Sequence, residues 1–335
     1  MILGRRQGFV LIFTLWVLGF LTVLAVGLAA GIRQKILLLE KLDQRSRTSH
    51  LLEAAVKYAG VYISNQLSTC GQSCNTTVKM KLYNNPNDFS QFELGGDNVS
   101  ISYTLPGQEE TFGVVDEERK INLNTTSAAI LARLIEMVLS LKSDAAQTMA
   151  SDILDWRQYG QSQAVGFFSD EYYANLEYPY VKKNMDYETL DELLLVKGIT
   201  KDIYEKLINY VTVYGDGRVN INTASPEVLY ALGLEDSLID KILQVRRGKD
   251  KIDATADDYV FSKTFDVATE INAVNKLLPA EIHAIDALNQ QNLLTTTSYY
   301  FTVQAKTHLA HSPFSRKVRA VFSARGNKIL YWSER

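Results

Sequence analysis

The segment Phe9–Ile32, FVLIFTLWVLGFLTVLAVGLAAGI, runs for 24 residues without a charged side chain. As a helix it is long enough to cross a hydrocarbon core of about 30 Å, and so long an uncharged stretch is poorly suited to the surface of a soluble domain. It predicts one membrane span near the start of the chain. Arg5 and Arg6 precede the span and the bulk of the chain follows it, so the positive-inside bias predicts Met1 in the cytoplasm and everything after Arg33 across the membrane. A secretory signal is the competing reading, with Ala29, Ala30 and Gly31 as small residues at a cleavage position, but its apolar core would run only about 7 to 15 residues.

Beyond Ile32 the sequence stays compatible with a helix to about Leu67, without proline and with Leu51, Ala55, Tyr58 and Tyr62 recurring at helical spacing. One continuous helix of roughly 88 Å is expected, apolar in its first half and amphipathic in its second. The remainder has the material for packed cores: 335 residues, 46% of them hydrophobic. With 35 basic and 38 acidic side chains the formal charge is −3, and nothing global draws the chain to nucleic acid. The two cysteines, Cys70 and Cys74, exclude a four-thiolate metal site. Across the membrane they would face an oxidising compartment, where so close a pair favours a disulfide.

Val99–Thr104 and Thr111–Val115 alternate as strands around Pro106 and Gly107. Strands return only near the end, as Tyr299–Lys306, Lys317–Ala324 and Lys328–Trp332. The simplest arrangement is one antiparallel sheet made from both ends of the chain, packed on the long helix, with the middle inserted as an all-α domain. The expected boundaries are residues 1–8 as a leader, 9–32 as the span, 33–119 with 286–335 as helix and sheet, and 120–285 as the insert. Within the insert KINLNTTSAAILARL (120–134) is echoed by RVNINTASPEVLYAL (218–232), with Ser127 and Ser225 placed to cap the helices that follow.

LLLVKGITKDIYEKLINY (193–210) resembles a helix-hairpin-helix element and raises the alternative of a membrane-tethered nucleic-acid receptor. The local charge argues against it, because residues 120–285 carry 17 Lys or Arg against 25 Asp or Glu, while duplex binding depends on neutralising phosphates. An enzyme is not expected either. His308 and His311 stand in THLAH without the glutamate of a zinc-protease helix, and neither a nucleophile elbow nor a phosphate-binding glycine loop is present.

A short charged leader ending in Gly8, followed at once by Phe9 and the apolar run, resembles the leader of type IV prepilins and pseudopilins. With the long helix, the split sheet, DELLLVKGITKDIYEKL and VNINTASPEVLYAL, the chain resembles the K-type minor pseudopilins of the type II secretion system, also called general secretion pathway protein K. That resemblance implies an α+β fold, a pilin-like N-terminal helix on an antiparallel sheet with a large all-α domain between strands. It implies cleavage by prepilin peptidase after Gly8, methylation of the new N-terminus at Phe9, and a single-pass inner-membrane protein with its body in the periplasm. The implied partners are I-type and J-type minor pseudopilins, not nucleic acid. It further implies calcium in the insert, with Asp155, Asp170 and Glu171 as the nearest counterparts of the ligands, although the acids expected directly after Asp155 and Trp156 are replaced by Arg157, Gln158 and Tyr159. Phe13 stands at the fifth position after Gly8, where the resemblance to pilins at large implies the glutamate that major pilins and pseudopilins carry.

Overall fold

The computed structural model describes residues 7–70, 82–157, 169–255, 257–309 and 315–334. The first element, α1, is one unbroken helix from Gln7 to Cys70, about 96 Å long. From Phe9 to Asp43 every residue is exposed, and packing against the rest of the chain begins only near Thr48. The second half buries a stripe of Leu52, Ala55, Val56, Ala59 and Ile63 at helical spacing. Tyr58 and Tyr62 lie at the edge of this stripe rather than in it, Tyr58 tilted against Phe92 with ring centres 4.9 Å apart and Tyr62 edge-on to Phe89 at 5.0 Å. Gly60 permits a close approach, since a Cβ there would lie 2.6 Å from the Phe322 ring.

A short helix α2 (Pro86–Phe89) leads into β1 (Phe92–Leu94), β2 (Asp97–Tyr103), β3 (Thr111–Phe112) and β4 (Val115–Asp116). The chain then enters a helical body: β5 (Ile121–Asn122), α3 (Ala128–Leu139), α4 (Ser143–Arg157), α5 (Ser169–Ala174), a 3-10 helix at Leu190–Leu195, α6 (Lys201–Leu207), β6 (Val211–Thr212) and β7 (Val219–Asn220). It continues through α7 (Pro226–Ala231), α8 (Asp236–Arg246), a 3-10 turn at Thr264–Asp266, α9 (Val267–Val274), α10 (Pro279–Gln290) and β8 (Leu294–Thr295). Three long strands close the chain, β9 (Tyr300–His308), β10 (Lys317–Ser323) and β11 (Lys328–Glu334).

The main sheet runs β1-β2-β9-β10-β11, with β3 on β2 and β4 on β9. All its pairings are antiparallel, so strands from the two ends of the chain meet at β2 and β9, where Ile101 lies opposite Ala305. The α1-facing side, with Val99, Ile101, Phe301, Val303, Ala305, Val318, Ala320 and Phe322, forms one core with the stripe of α1. A separate core fills the helical body, from Ile121 to Leu294. The second boundary of the insert therefore falls later than residue 285. Ile285 and Leu288 of α10 are buried in the helical core, and β8 pairs in parallel with β7, so the body extends to about Thr295.

The sequence echo is a structural duplication. Asn122 and Asn220 each accept a backbone N–H two residues on, from Asn124 at 2.8 Å and Asn222 at 3.0 Å, which sets the turn before the helix. Asn124 then exchanges two hydrogen bonds with the backbone of Tyr187, and Asn222 does the same with Phe261. The expected serine caps differ. Ser127 Oγ accepts from Ile130 N–H, but Ser225 Oγ is buried without a partner, and the helix it precedes starts instead on Pro226.

Candidate functional site

Two regions stand out as candidates for function, the uncovered apolar half of α1 and the junction through which the helical body is spliced into the sheet. On α1, Phe9, Phe13, Trp16 and Phe20 are all more than half exposed, the condition of a helix whose solvent is something other than the rest of this chain. Among the described residues this is the one helix long and apolar enough to cross a membrane. Phe13 places an aromatic ring, with no polar group, one turn into the run.

The junction is built by the run Asp116-Glu117-Glu118-Arg119-Lys120. Asp116, Glu117, Glu118 and Lys120 are buried, Glu117 completely. Asp116 accepts hydrogen bonds from Asn220 at 2.9 Å, Thr223 at 2.6 Å and Ser298 at 2.6 Å. Glu117 accepts from Lys120 at 2.8 Å, from Thr302 of β9 at 2.5 Å and from Thr212 of β6 at 2.7 Å, so one carboxylate holds the sheet and the helical body together. Burial alone would raise its pKa, but Lys120 and then Arg319 outweigh burial and hold the carboxyl below its ordinary range. Glu118 accepts from the backbone N–H of Tyr299 at 2.5 Å. Thus each of three successive acids fixes a different strand or turn at the crossing. A charge run between strands reads in sequence as a solvated turn, and nothing in its spacing says that it is buried.

Burial raises the carboxyl pKa of both Asp116 and Glu118, and for Glu118 the shift is large. In Glu118, burial and behind it the Asp116 carboxylate raise the pKa from 4.5 to about 7. Between those values the folded chain holds a proton that the unfolded chain has released, so the stabilisation is complete below about 4.5 and is lost as the pH rises through about 7. Glu118→Gln retains an acceptor for Tyr299. It is expected to gain stability relative to the parent between about pH 5 and about pH 8, by up to ~3 kcal/mol, read from paired urea denaturation curves.

Of the residues expected to hold calcium, the side chains of Asp155 and Glu171 are described. Asp155, on α4, accepts from the buried Lys182 ammonium at 3.0 Å, so a lysine already supplies the positive charge that a metal would bring. Glu171, on α5, is exposed, and the side chain of Asp170 lies outside the described residues. Asp155 as placed thus faces an ammonium, whereas a calcium ion would need six to eight oxygens around it. Among the described residues the carboxylates that do converge are Asp250, Asp257 and Asp258, with oxygens within 4.8 Å of one another. These are answered from within their own loop: Asp257 accepts from Lys249 N–H at 2.7 Å and Asp258 from Ala254 N–H at 2.7 Å.

The Cys70–Cys74 pair cannot be placed, since Cys74 and the side chain of Cys70 lie outside the described residues, as does His311. Gly8 lies in the first turn of α1, while residues 1–6 of the leader lie outside the described residues. His308 is exposed at the end of β9. The helix-hairpin-helix element forms, with Gly198 at φ +79° between the 3-10 helix and α6. Its apolar side, Leu193, Val196, Ile199, Tyr204 and Leu207, is consumed by the helical core, which makes it a packing unit.

A long apolar-then-amphipathic helix laid on an antiparallel sheet is the architecture of a pilin-like subunit, and the helical body between β4 and β9 marks a distinctive kind of one. Residues 113–216 match the family described as Type II secretion system (T2SS), protein K. The Type II secretion system protein K of Pectobacterium carotovorum subsp. carotovorum is 29% identical over 108 residues, which are 32% of this chain and 33% of that protein. The aligned part thus spans about a third of that curated relative. In fold the chain is similar to one in the crystal structure of the GspK-GspI-GspJ complex from enterotoxigenic Escherichia coli, with a TM-score of 0.63 at 15% identity, covering 88% of this chain and 98% of that one. The resemblance to type II secretion protein K therefore holds in sequence across residues 113–216, while the fold is shared over most of the chain with a subunit of that complex.

Proposed function

We propose that this chain is a minor pseudopilin at the tip of a type II secretion pseudopilus, where it initiates assembly and supports protein export across the outer membrane. In this reading α1 anchors it in the inner membrane, the body stands in the periplasm, and its partners are I-type and J-type minor pseudopilins. In this reading it has no catalytic role.

The observation that carries the reading is the splice. A helical body emerging between β4 and β9 of the sheet obstructs the close stacking of heads in a filament shaft but is unobstructed at a free end. Phe13 points the same way. A carboxylate buried in a filament core needs a neutralising amine from the subunit ahead, and a subunit with nothing ahead of it has none to meet. The test is co-purification of the detergent-solubilised full chain with the I-type and J-type subunits, together with labelling on isolated pseudopili. A ternary complex and label at one end are expected. Label at regular intervals along the shaft, or a chain that purifies without either partner, overturns the reading.

A further inference from the structure

The main sheet has a second face, turned away from α1. Strand alternation puts Lys306 of β9 and Lys317 and Arg319 of β10 on that face, opposite the buried Ala305, Val318 and Ala320. The helical body only partly covers it, leaving a cleft of about 420 Å³ whose floor includes these three cations and whose walls include Asp191, Tyr204 and Tyr331.

Two features of the floor are unfavourable as they stand. Lys317 lies directly opposite Lys306 in the β9–β10 register, and like charges facing each other across strands destabilise a sheet. Arg319 Nε is buried with no hydrogen-bond partner, although an unmet donor on a charged group is among the costlier defects a fold can carry. The neighbouring acids are already engaged. Asp191 accepts from the Tyr204 hydroxyl at 2.5 Å and the Tyr331 hydroxyl at 3.0 Å. Glu110 accepts from Ser102 at 2.6 Å, and Glu117, behind the floor, is held by Lys120, Thr212 and Thr302. Hydroxyl partners leave Asp191 and Glu110 charged and Glu117 is shared between Lys120 and Arg319, so the cations Lys120, Lys306, Lys317 and Arg319 exceed the neighbouring acids by a single charge.

From this we infer that the cleft between the outer face of the sheet and the helical body is an oxyanion-binding site, taking a carboxylate or phosphate group, with Arg319 as the primary contact and Lys306 and Lys317 supplying the field at its floor. A guanidinium offers a planar fork that matches either group, and a cleft of this size has room for the residues on both sides of an acidic side chain as well as for a free ion. The Arg319 charge and the Lys306–Lys317 repulsion would then be offset by the bound negative charge.

The test is calorimetric titration of the detergent-solubilised full chain at low salt, with inorganic phosphate in one arm and a hexaglutamate peptide in the other. Saturable binding is expected in at least one arm. Phosphate alone identifies a free oxyanion as the ligand, and tighter peptide binding identifies a carboxylate-bearing chain; either result supports the site. Arg319→Gln should weaken binding roughly tenfold or more, Arg319→Lys should restore part of it, and Lys317→Gln should weaken it less and flatten its salt dependence. Without ligand, Arg319→Gln should melt close to the parent, because it removes an unmet donor and a charge repelled by Lys120 together with the support Arg319 lends Glu117. No binding in either arm, binding indifferent to Arg319, or an Arg319→Gln chain that melts well below the parent overturns the inference; the last result would make Arg319 a structural residue.

Discussion

Changing Gly8 to Ala is expected to leave the chain as an uncut precursor and to abolish export, the largest effect any single substitution should have on this protein. Under the proposed function the peptidase cuts on the cytoplasmic side of the span, between Gly8 and Phe9, and the helix that anchors the precursor stays on the mature chain as its assembly element. Without the cut, the charged leader remains attached to the end of a helix whose first turns must enter an apolar filament core, and Arg5 and Arg6 would be drawn into a medium of low dielectric without partners. Immunoblotting for the mobility shift and assaying export in the same cells checks both halves. Processing blocked with export intact would separate cleavage from function and sink the tip-initiator reading. Phe13→Glu is a milder companion: it should let the chain compete for internal positions that its helical body cannot occupy, without raising export.

Glu117→Ala is expected to cost the fold about 3–5 kcal/mol, because it leaves the buried Lys120 ammonium without its counter-charge and strips Thr212 and Thr302 of their acceptor. The double variant Glu117→Ala/Lys120→Met should be less destabilised than Glu117→Ala alone, since the cost lies chiefly in the stranded charge. Urea denaturation of the three detergent-solubilised full-length chains measures this directly. Equal destabilisation of the single and double variants would show that the threonine contacts, not the ion pair, hold the junction. The expected consequence is mechanical as well. Glu117 joins a strand of the sheet to a strand of the helical body, so its loss should loosen one against the other before either core unfolds.

What could be read from the residues in order was whatever depends on neighbours in sequence. An uncharged run of fixed length implies a span, unbroken helical periodicity implies one long helix, and alternating runs at both ends of the chain imply a split sheet. The echo at residues 120–134 and 218–232 was visible in the same way, and the resemblance to the K-type family rested on contiguous phrases. The tertiary structure decided whatever depends on partners far apart in the chain. Thr302 lies 185 residues from the Glu117 it bonds, and no spacing rule reaches that far. For the same reason Asp155 turned out to face a lysine, and the helical body to run on past residue 285 through the end of α10 to β8. A charged side chain has the same sequence signature whether it faces water or a counter-charge; the buried acids of the junction and the unmet arginine of the cleft became distinguishable only when folding removed water from around them.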